Sequence, residues 1–476
     1  MKQSLQADFC VIGAGSGGLS FAAGAVQMGA SVILLERSKM GGDCLNYGCI
    51  PSKALLAAAK VGNEIKESSH FGWTISGAQV DFKRVHDYVH SVINAIAPND
   101  SVERFEGLGV KVILEEGKFL DSTTLATENY LIKAKRFVIA TGSIPFIPQI
   151  AGLSSIQYYT NESIFNLKVL PEHLVIIGGG PIGIEMAQAF KRFGSRVSVL
   201  EAFSALPKDD PHMTAKLKEL LINEGIDIKE HVEISLIKQT DGGIEFQYLD
   251  TTKNMVTLIA SHVLVATGRI ANIQALGLEA ARINASSKGI TVDAHLRTSN
   301  PRVYAIGDCI GSYQFTHAAN YHAGLAIRNS IFRLGTKMET KVIPWVTYTD
   351  PELAHVGFLE SQLQSQKISY RALSMTFAEN DRAHTERQIE GEVKVLLSPK
   401  GHVLGATILG IKAGELIFPW VMAIQNKLKV SAIANSIAPY PTLNDINKRI
   451  AGSYYKDMIF SPLMKRIVKF IMCLTR

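Results

Sequence analysis

The sequence predicts an α/β protein with two Rossmann-like domains and a C-terminal α+β domain. Near the N-terminus a short apolar strand runs through a glycine-rich loop into a helix, and the same order recurs near residue 178. From about Pro344 onward, strands and helices alternate without another such loop. At 476 residues the chain is too long for one hydrophobic core, so several domains are expected.

The composition indicates a folded globular protein: 47% of the residues are hydrophobic and 19% are charged. The net charge of +6 is small, and no basic run carries interleaved aromatic residues, so we expect no nucleic-acid partner. Of five cysteines only Cys44 and Cys49 lie close together, which is typical of a cytoplasmic protein. A strand begins within a few residues of the N-terminus and no apolar run could span a bilayer, so we predict neither a signal peptide nor a transmembrane helix.

The first glycine loop has the features of a dinucleotide-binding unit. It follows strand Asp8–Ile12 and contains Gly13, Gly15 and Gly18. A helix comes next, and the following strand ends at Glu36. The glycines allow a tight turn and a close approach of a pyrophosphate to the helix N-terminus, and the acid can bind ribose hydroxyls. The alternative is a glycine-rich turn that binds no dinucleotide.

The second glycine loop repeats the arrangement and implies a second dinucleotide. Strand Leu174–Ile177 leads into Gly178, Gly180 and Gly183, and the strand after the next helix ends at Glu201. A carboxylate at this position accepts hydrogen bonds from a free ribose 2′-hydroxyl and repels a 2′-phosphate. No arginine follows it directly, so the sequence favours NADH over NADPH.

A cysteine pair stands in the run Gly41–Lys53, where Cys44 and Cys49 are five positions apart. On a helical turn or a tight helix entry, this spacing can bring two sulfurs within bonding distance. A helix start also lowers the pKa of a thiol, because the positive end of the helix dipole favours the thiolate. We therefore predict a redox disulfide that opens and closes during turnover. The alternatives are a structural disulfide, which would stabilise so short a loop only slightly, and two unrelated core thiols.

The run Gly-Gly-Asp-Cys-Leu-Asn-Tyr-Gly-Cys-Ile-Pro-Ser-Lys resembles the redox-disulfide signature of the flavin-dependent pyridine nucleotide–disulfide oxidoreductases. The similarity is closest to dihydrolipoamide dehydrogenases and mercuric reductases, and it covers nearly the whole chain. It implies that the first glycine loop holds FAD, that the second holds NAD(P)H, and that the C-terminal α+β domain forms a homodimer. No resident metal site is expected.

Further site residues follow from the same resemblance. Thr141 with Gly142, and Gly268 with the threonine before it, end two strands that mark the crossings between the FAD and NAD domains. Asp308 ends a Gly-Asp strand similar to the second flavin motif, in which the aspartate bonds the ribityl chain; a helix N-cap is the alternative. His317 lies in a flavin-side stretch and is therefore counted among the FAD-site residues, with a structural rather than a catalytic role expected.

These motifs predict a discontinuous FAD-binding domain with the NAD-binding domain inserted in it. The expected ranges are 1–145 and 271–343 for FAD, 146–270 for NAD(P), 344–456 for the dimerisation domain and 457–476 for a C-terminal tail.

The resemblance also implies an electron relay from NADH through FAD to the disulfide. Cys49 would lie against the flavin as the charge-transfer thiolate, and Cys44 would be the thiol that exchanges with substrate. A thiolate needs nearby positive charge, which Lys53 could supply, and in the family the equivalent lysine pairs with a glutamate at the position of Glu185. The alternative for Lys53 is a solvated helix lysine.

The chain departs from both families near its C-terminus. Tyr440 stands where dihydrolipoamide dehydrogenases carry a catalytic His, and Asp445 stands where they carry a Glu. A phenol with a pKa near ~10 is a poor base at neutral pH. Mercuric reductases share the Tyr but add a C-terminal cysteine pair, whereas this chain ends with the single Cys473. We therefore expect a small disulfide, dithiol or metal ion as substrate, without naming which.

The last stretch predicts a basic amphipathic helix. Apolar residues at helical spacing include Phe460, Ile467 and Ile471, and cations such as Lys465 and Arg476 lie mostly on the other side. Packing on the C-terminal domain is the favoured interpretation, and contact with an anionic membrane is the alternative. The corresponding alternative functions are a peripheral membrane electron-transfer flavoprotein with a quinone or protein acceptor, and a non-catalytic protein that kept the fold.

Overall fold

A computed structural model describes residues 2–474 as a mixed α/β protein. The strands are β1 Gln3–Ile12, β2 Val32–Leu35, β3 Lys111–Ile113, β4 Lys118–Phe119, β5 Thr124–Ala126, β6 Tyr130–Ile139, β7 Ser143–Pro145, β8 His173–Ile177, β9 Arg196–Leu200, β10 Asp227–Lys229, β11 Glu233–Thr240, β12 Gly243–Leu249, β13 Met255–Ala260, β14 His262–Val265, β15 Arg269–Ala271, β16 Ala285–Ser286, β17 Gly289–Ile290, β18 Val303–Ala305, β19 Trp345–Thr347, β20 Glu352–Gly357, β21 Arg371–Thr376, β22 Glu392–Leu397 and β23 Val403–Gly410.

The helices are α1 Ser16–Gln27, α2 Gly42–Asn46, α3 Cys49–Glu67, α4 Phe82–Ile96, α5 Val102–Gly107, α6 Pro181–Phe193, α7 Pro211–Asn223, α8 Thr316–Ser330, α9 Glu360–Ser365, α10 Asp381–Thr385, α11 Ala413–Leu416, α12 Phe418–Gln425, α13 Ser431–Ala434, α14 Asp445–Ser453, α15 Lys456–Ile459 and α16 Pro462–Leu474.

The first glycine loop lies at the end of the central strand of a seven-stranded sheet. The strand order is β3-β2-β1-β6-β5-β4, with β18 also paired to β6. Strands β1, β2, β3, β6 and β18 run parallel, so their carboxyl ends meet at one edge. Strands β2 and β18 and the carboxyl-terminal parts of β1 and β6 are continuous apolar runs that are buried, as expected of a covered parallel sheet. Ligands of such sheets bind outside the carboxyl ends of the strands, which is where the glycine loop lies.

The second glycine loop follows β8 in a smaller parallel sheet of order β10-β9-β8-β14. An antiparallel sheet of β11, β12 and β13 follows in sequence. The chain enters this region through β7 and leaves it through β15, and these two short strands pair antiparallel with Pro145 opposite Arg269. The two points at which the chain is expected to pass between the FAD and NAD domains therefore lie next to each other.

The chain divides into two compact units. One contains the chain up to Ala205 together with Ile226–Met338, and the other contains Leu206–Gly225 together with the chain from Glu339 onward. The sequence-based NAD domain of 146–270 enclosed helix α7, whereas the structure groups α7 with the C-terminal unit. The cause is a set of long-range ion pairs with β22: Lys394 donates at 2.9 Å to Asp210, the residue that caps α7, and Lys216 of α7 pairs with Glu392.

The second unit is organised by a five-stranded antiparallel sheet of order β19-β20-β23-β22-β21. Its core includes the fully buried side chains of Trp420 and Phe377. The indole of Trp420 donates to the Asn447 side chain at 2.8 Å, so the polar atom of this large residue is satisfied inside the core.

The C-terminal tail forms the predicted helix, α16. The Ser461 hydroxyl accepts from the Met464 amide at 3.3 Å, and Pro462 occupies the first helical position, where its missing N–H is not needed. None of the described residues of α16 is buried, so the favoured packing on the C-terminal domain is not seen within the chain. Arg476 lies outside the described residues. Between residues 2 and 474, no helix combines the length and apolarity needed to cross a membrane.

Candidate active site

The two glycine loops are packed against their sheets and open on their outer sides. Gly13 and Gly178 have φ values of +104° and +112°, a region that favours glycine. A Cβ on Gly18 would stand 1.9 Å from the Gly13 carbonyl oxygen. By contrast, a Cβ on Gly180 would meet nothing within 4 Å, and one on Gly15 would meet only a backbone carbon at 4.0 Å. The open space lies at the N-termini of α1 and α6, so both loops fit a pyrophosphate.

The acid after each loop holds the loop in the same way. Glu36 Oε2 accepts from the Ala14 amide at 2.8 Å, and Glu201 Oε2 accepts from the Gly179 amide at 2.5 Å. A carboxylate has further acceptor capacity, so both side chains remain able to bind ribose hydroxyls. A cleft beside the first loop is lined by Gly13, Glu36 and other residues, and it fits the adenosine end of a dinucleotide.

A second acid, which the sequence analysis missed, lies close to Glu201. Glu230 follows β10, the strand next to β9, and its Oε1 accepts from the Ala205 amide at 2.6 Å. A single Glu at a strand end is not part of a sequence motif. Glu230 is recognised as a neighbour of Glu201 only because β9 and β10 pair in the structure. Two carboxylates therefore lie at the carboxyl ends of the adjacent strands β9 and β10.

The carboxyl ends of β6 and β18 bring Thr141, Gly142 and Asp308 to the edge of the large sheet. Asp308 lies in a short 3₁₀ turn after β18, where it does not cap a helix. The Ser143 hydroxyl donates to Asp308 Oδ2 at 2.6 Å, and burial raises the pKa of this carboxyl. Asn272 donates to the Thr141 carbonyl at 3.2 Å, which ties the loop of Thr141 and Gly142 to the crossing strand β15.

The predicted redox cysteines lie on two consecutive short helical elements, Cys44 in α2 and Cys49 at the first position of α3. Both are free thiols in the structure. A hydrogen bond between the thiols lowers the pKa of Cys49 to about 6, with further help from the Thr316 hydroxyl and the Lys53 charge. The same hydrogen bond, together with burial, raises the pKa of Cys44. At neutral pH the pair therefore consists of a Cys49 thiolate that accepts from a Cys44 thiol.

Two contacts support the Cys49 thiolate. Thr316, the first residue of α8, places its hydroxyl oxygen 3.4 Å from the Cys49 sulfur. Lys53 lies one turn along α3, and its Nζ donates to Glu185 Oε2 at 2.8 Å. Glu185 is buried on α6, so the lysine and glutamate singled out by sequence come together from different elements. Thr316 was missed, because a single threonine carries no motif.

An arginine joins the cysteine helix to Asp308. Arg269 of β15 has its Nη2 atom 3.1 Å from Asp43 Oδ1, and Asp43 directly precedes Cys44. Arg269 also donates to the Ser143 hydroxyl at 2.8 Å and to the Ser143 carbonyl at 2.9 Å. Asn161 donates to Asp43 Oδ1 at 3.0 Å. Sequence analysis named neither Asp43 nor Arg269 as a site residue.

The remaining predicted site residues are His317, in the first turn of α8, and Tyr440 and Asp445, in the second compact unit. His317 is exposed in the first turn of α8, with its ring stacked on Phe315 at 5.3 Å. Tyr440 is 74% exposed, and its hydroxyl donates to Asp381 Oδ2 at 2.9 Å, which raises the pKa of the phenol. Asp445 begins α14, and it is Asp381 that accepts from the phenol.

The arrangement has the parts needed for thiol–disulfide exchange. A thiolate is present at neutral pH, its partner thiol is in hydrogen-bond contact, and a lysine–glutamate pair and a hydroxyl lie beside it. Two dinucleotide cradles lie in the same compact unit as the cysteines.

Comparisons with known proteins agree with this chemistry. Residues 7–323 match the family described as pyridine nucleotide-disulphide oxidoreductase, and residues 343–450 match the dimerisation domain of that family. A mercuric reductase of Bacillus cereus is 32% identical over 95% of this chain and 72% of its own length. A dihydrolipoyl dehydrogenase of Geobacillus stearothermophilus is 32% identical over 93% of this chain and 95% of its own length.

Two solved structures have the same fold. The HOCl-induced flavoprotein disulfide reductase RclA from Escherichia coli aligns with a TM-score of 0.83 at 26% identity, covering 94% of this chain and 99% of its own. LpdA from Mycobacterium tuberculosis aligns with a TM-score of 0.86 at 25% identity, covering 94% and 99%. The family is FAD-dependent and uses a pyridine nucleotide, and the dimerisation domain indicates a homodimer. From its glycine loops, its cysteine pair and these matches, the chain belongs to the pyridine nucleotide–disulphide oxidoreductase family.

Proposed function

We propose that this protein is an NADH-driven disulfide oxidoreductase that uses the Cys44–Cys49 pair to reduce a small disulfide or a metal ion. The observation that carries the proposal is the Cys49 thiol, whose pKa is lowered to about 6 by its hydrogen bond from Cys44. Lys53, paired with buried Glu185, adds positive charge beside the same sulfur. Such a pair is poised for nucleophilic exchange at neutral pH.

The cofactor sites are assigned to residues of the chain. Gly13, Gly15, Gly18 and Glu36 would hold the pyrophosphate and adenosine ribose of FAD, and Asp308 would hold its ribityl chain. Thr141 and Gly142 lie at the same sheet edge. When bound, FAD would carry two electrons from NADH to the disulfide.

NADH is proposed over NADPH because of two carboxylates. Glu201 and Glu230 lie at the ends of the adjacent strands β9 and β10 and are each held by a backbone amide. A 2′-phosphate carries about two negative charges near neutral pH, so it would be repelled, whereas a ribose diol would donate to the same carboxylate oxygens. Gly178, Gly180 and Gly183 would receive the pyrophosphate, and Gly268 lies at the following strand end.

The exchange step balances with the two sulfurs alone. The proton shared in their hydrogen bond moves from Cys44 to Cys49, and the Cys44 thiolate attacks a substrate disulfide to release the first thiolate. Cys49 then gives its proton to the released thiolate and attacks the Cys44 sulfur, which releases the second thiolate and closes the Cys44–Cys49 disulfide. Two electrons leave the protein, and one substrate S–S bond is exchanged for one protein S–S bond.

The direction of catalysis is proposed from Tyr440. The Asp381 carboxylate raises the pKa of this phenol, so it stays protonated at neutral pH. In dihydrolipoamide dehydrogenases a His at this position, contributed by the partner subunit, removes a proton from the dithiol, and a protonated phenol cannot do so. Reduction of a disulfide releases thiolates, and a neutral phenol can stabilise a departing thiolate by donating a hydrogen bond to it. Tyr440, with Asp445 on the following helix, thus suits reduction better than dithiol oxidation.

A metal ion is proposed as an alternative substrate because of two similarities to known proteins. Several relatives are named mercuric reductases, and one solved relative is a Cu(II) complex of RclA at 26% identity and a TM-score of 0.83. Soft metal ions bind thiolates, and the Cys44–Cys49 pair offers two sulfurs after loss of the Cys44 proton.

The test is an anaerobic NADH oxidation assay with glutathione disulfide, lipoamide, Hg(II), Cu(II) and a benzoquinone in parallel. We expect Cys44→Ser to abolish reduction of the disulfides or metal ions while reduction of an artificial dye acceptor persists, since dyes accept electrons from flavin directly. Equal rates in the wild type and Cys44→Ser with every acceptor would overturn the proposal.

A further inference from the structure

We propose that α16 binds the surface of an anionic lipid membrane, lying in the plane of the headgroups. The proposal concerns only the C-terminal tail, so it stands or falls independently of the substrate of the cysteine pair. It begins from exposure: Leu463, Phe470 and Leu474 are 66%, 65% and 70% exposed.

The helix has two clearly separated faces. At about 100° per residue, its cations fall within an arc of roughly 100°, and its large apolar side chains fill most of the remaining circumference. The cations are Lys465, Arg466 and Lys469. The apolar residues are Leu463, Met464, Ile467, Val468, Phe470, Ile471, Met472 and Leu474. A broad apolar face opposite clustered cations is typical of helices that insert shallowly into a membrane interface.

The apolar surface continues before the helix. Met458, Ile459 and Phe460, at the end of α15 and just beyond it, are 59%, 51% and 63% exposed. Just upstream, Arg371 of β21 pairs with Asp457 at 2.7 Å, which ties the start of the tail to the C-terminal sheet. The exposed apolar segment therefore begins at an anchored point.

Charge favours lipid over a second protein copy as the occupant. From Met458 to the end of the sequence there is no Asp or Glu. In a twofold pairing of identical tails, the same surface of each copy would contact the other. The cations beside the apolar face would then have no acidic residue on the partner tail to pair with. Anionic headgroups supply the missing opposite charge, and attraction to them decays with salt.

Length excludes a spanning orientation for α16. Thirteen residues at about 1.5 Å each make a helix of roughly 20 Å, shorter than the ~30 Å hydrocarbon core of a bilayer. The helix is thus suited to lie along the surface. The tail also follows the family's dimerisation match, which ends at residue 450, so it is an addition to the matched domains.

The test is co-sedimentation of the full-length holoprotein with vesicles of phosphatidylcholine and phosphatidylglycerol, compared with vesicles of phosphatidylcholine alone. We expect binding to the anionic vesicles to fall about tenfold or more on deletion of residues 457–476 or in K465Q/R466Q/K469Q. L463E/F470E should have the same effect. L334E is the matched control, because Leu334 is also 66% exposed but lies outside the tail.

Three results would overturn the proposal. One is equal sedimentation of the full-length and truncated proteins. Another is equal binding to the two vesicle compositions. The third is a change of mass in sedimentation velocity on truncation with vesicle binding unchanged, which would assign the tail to a second copy. Reduction of a dye by NADH should be the same in all variants, which verifies that each is folded and loaded with FAD.

Discussion

The guanidinium of Arg269 lies 3.1 Å from the carboxylate of Asp43, the residue directly before Cys44. The same guanidinium donates to Ser143, and Ser143 donates to Asp308. A single partly buried arginine on a crossing strand thus connects the cysteine helix with the aspartate assigned to the ribityl chain.

Replacing Arg269 with Met should destabilise the protein and slow disulfide reduction. Asp43 would lose its counter-charge and Ser143 would lose two hydrogen bonds, for a loss of about 1–3 kcal/mol in the free energy of unfolding. The negative charge of Asp43 raises the pKa of Cys49, so without Arg269 that pKa should rise. Urea unfolding and the pH dependence of alkylation measure the two effects.

Arg297→Met is the control for Arg269→Met. Arg297 pairs with Asp293 at 3.0 Å, but both side chains are more than two-fifths exposed. Loss of an exposed pair should change stability by less than about 1 kcal/mol and leave the alkylation profile unchanged. Equal effects of the two substitutions would contradict a connecting role for Arg269.

The Cys49 thiol should titrate far below an ordinary cysteine. In the reduced protein, alkylation by iodoacetamide at Cys49 should rise with pH around a midpoint of about 6, because the thiolate is the reactive form. Cys44→Ala removes the hydrogen bond that contributes most to this shift, so the midpoint should move upward. An unchanged midpoint in Cys44→Ala would show that the neighbouring thiol does not stabilise the thiolate.

Lys53 should act on Cys49 through its charge. Lys53→Met should raise the Cys49 alkylation midpoint and lower the rate of disulfide reduction by about tenfold or more. Lys53→Arg, which keeps the charge, should keep the midpoint low. Glu185→Gln retains an oxygen acceptor for Lys53 and separates the role of the ion pair from that of the lysine. If Lys53→Met and Lys53→Arg gave the same midpoint, packing rather than charge would be the cause.

Nucleotide preference should depend on Glu201. Glu201→Gln keeps an oxygen to accept from the Gly179 amide but removes the negative charge, so the ratio of kcat/KM for NADH to that for NADPH should fall by about tenfold. Glu230→Gln should lower the ratio less, since Glu230 is absent from the loop motif. A wild-type ratio below one would contradict the proposed preference for NADH.

Tyr440 should set the direction of turnover. Tyr440→His with Asp445→Glu introduces an imidazole with a pKa near ~6.5, and dihydrolipoamide oxidation should increase by about tenfold or more. Tyr440→Phe should slow disulfide reduction without creating that activity. Asp381→Asn removes the carboxylate that raises the phenol pKa, so the basic limb of the pH–rate profile should move to lower pH.

Most of the site residues that could be predicted from the sequence belong to local motifs. Both glycine loops, the cysteine pair and the Asp308 turn consist of neighbouring residues whose spacing fixes the backbone; the loops and the turn follow strands, and the cysteines lie on α2 and α3. Lys53 and Glu185 were found only because the family pattern links them, since they lie on separate helices.

The contacts that sequence analysis missed join distant segments without a motif. Arg269 meets Asp43, Thr316 meets Cys49, and Asp381 meets Tyr440 only after the chain has folded. The position of α7 was missed for the same reason: its contacts to β22 are ion pairs between residues far apart in sequence. Hydrophobic periodicity predicts where the helix lies in the sequence, but not which element it packs against.

The paired strands β7 and β15 have a consequence for how this protein could be remodelled. Because residues 145 and 269 face each other across one strand pair, the intervening segment begins and ends within about 5.5 Å. A segment with adjoining ends can be grafted into, or cut from, a recipient without disturbing the strand order around it. The segment can therefore be exchanged as a unit only for one that keeps Glu185, which pairs with Lys53 of the cysteine helix, and the ion pair between Lys216 of α7 and Glu392.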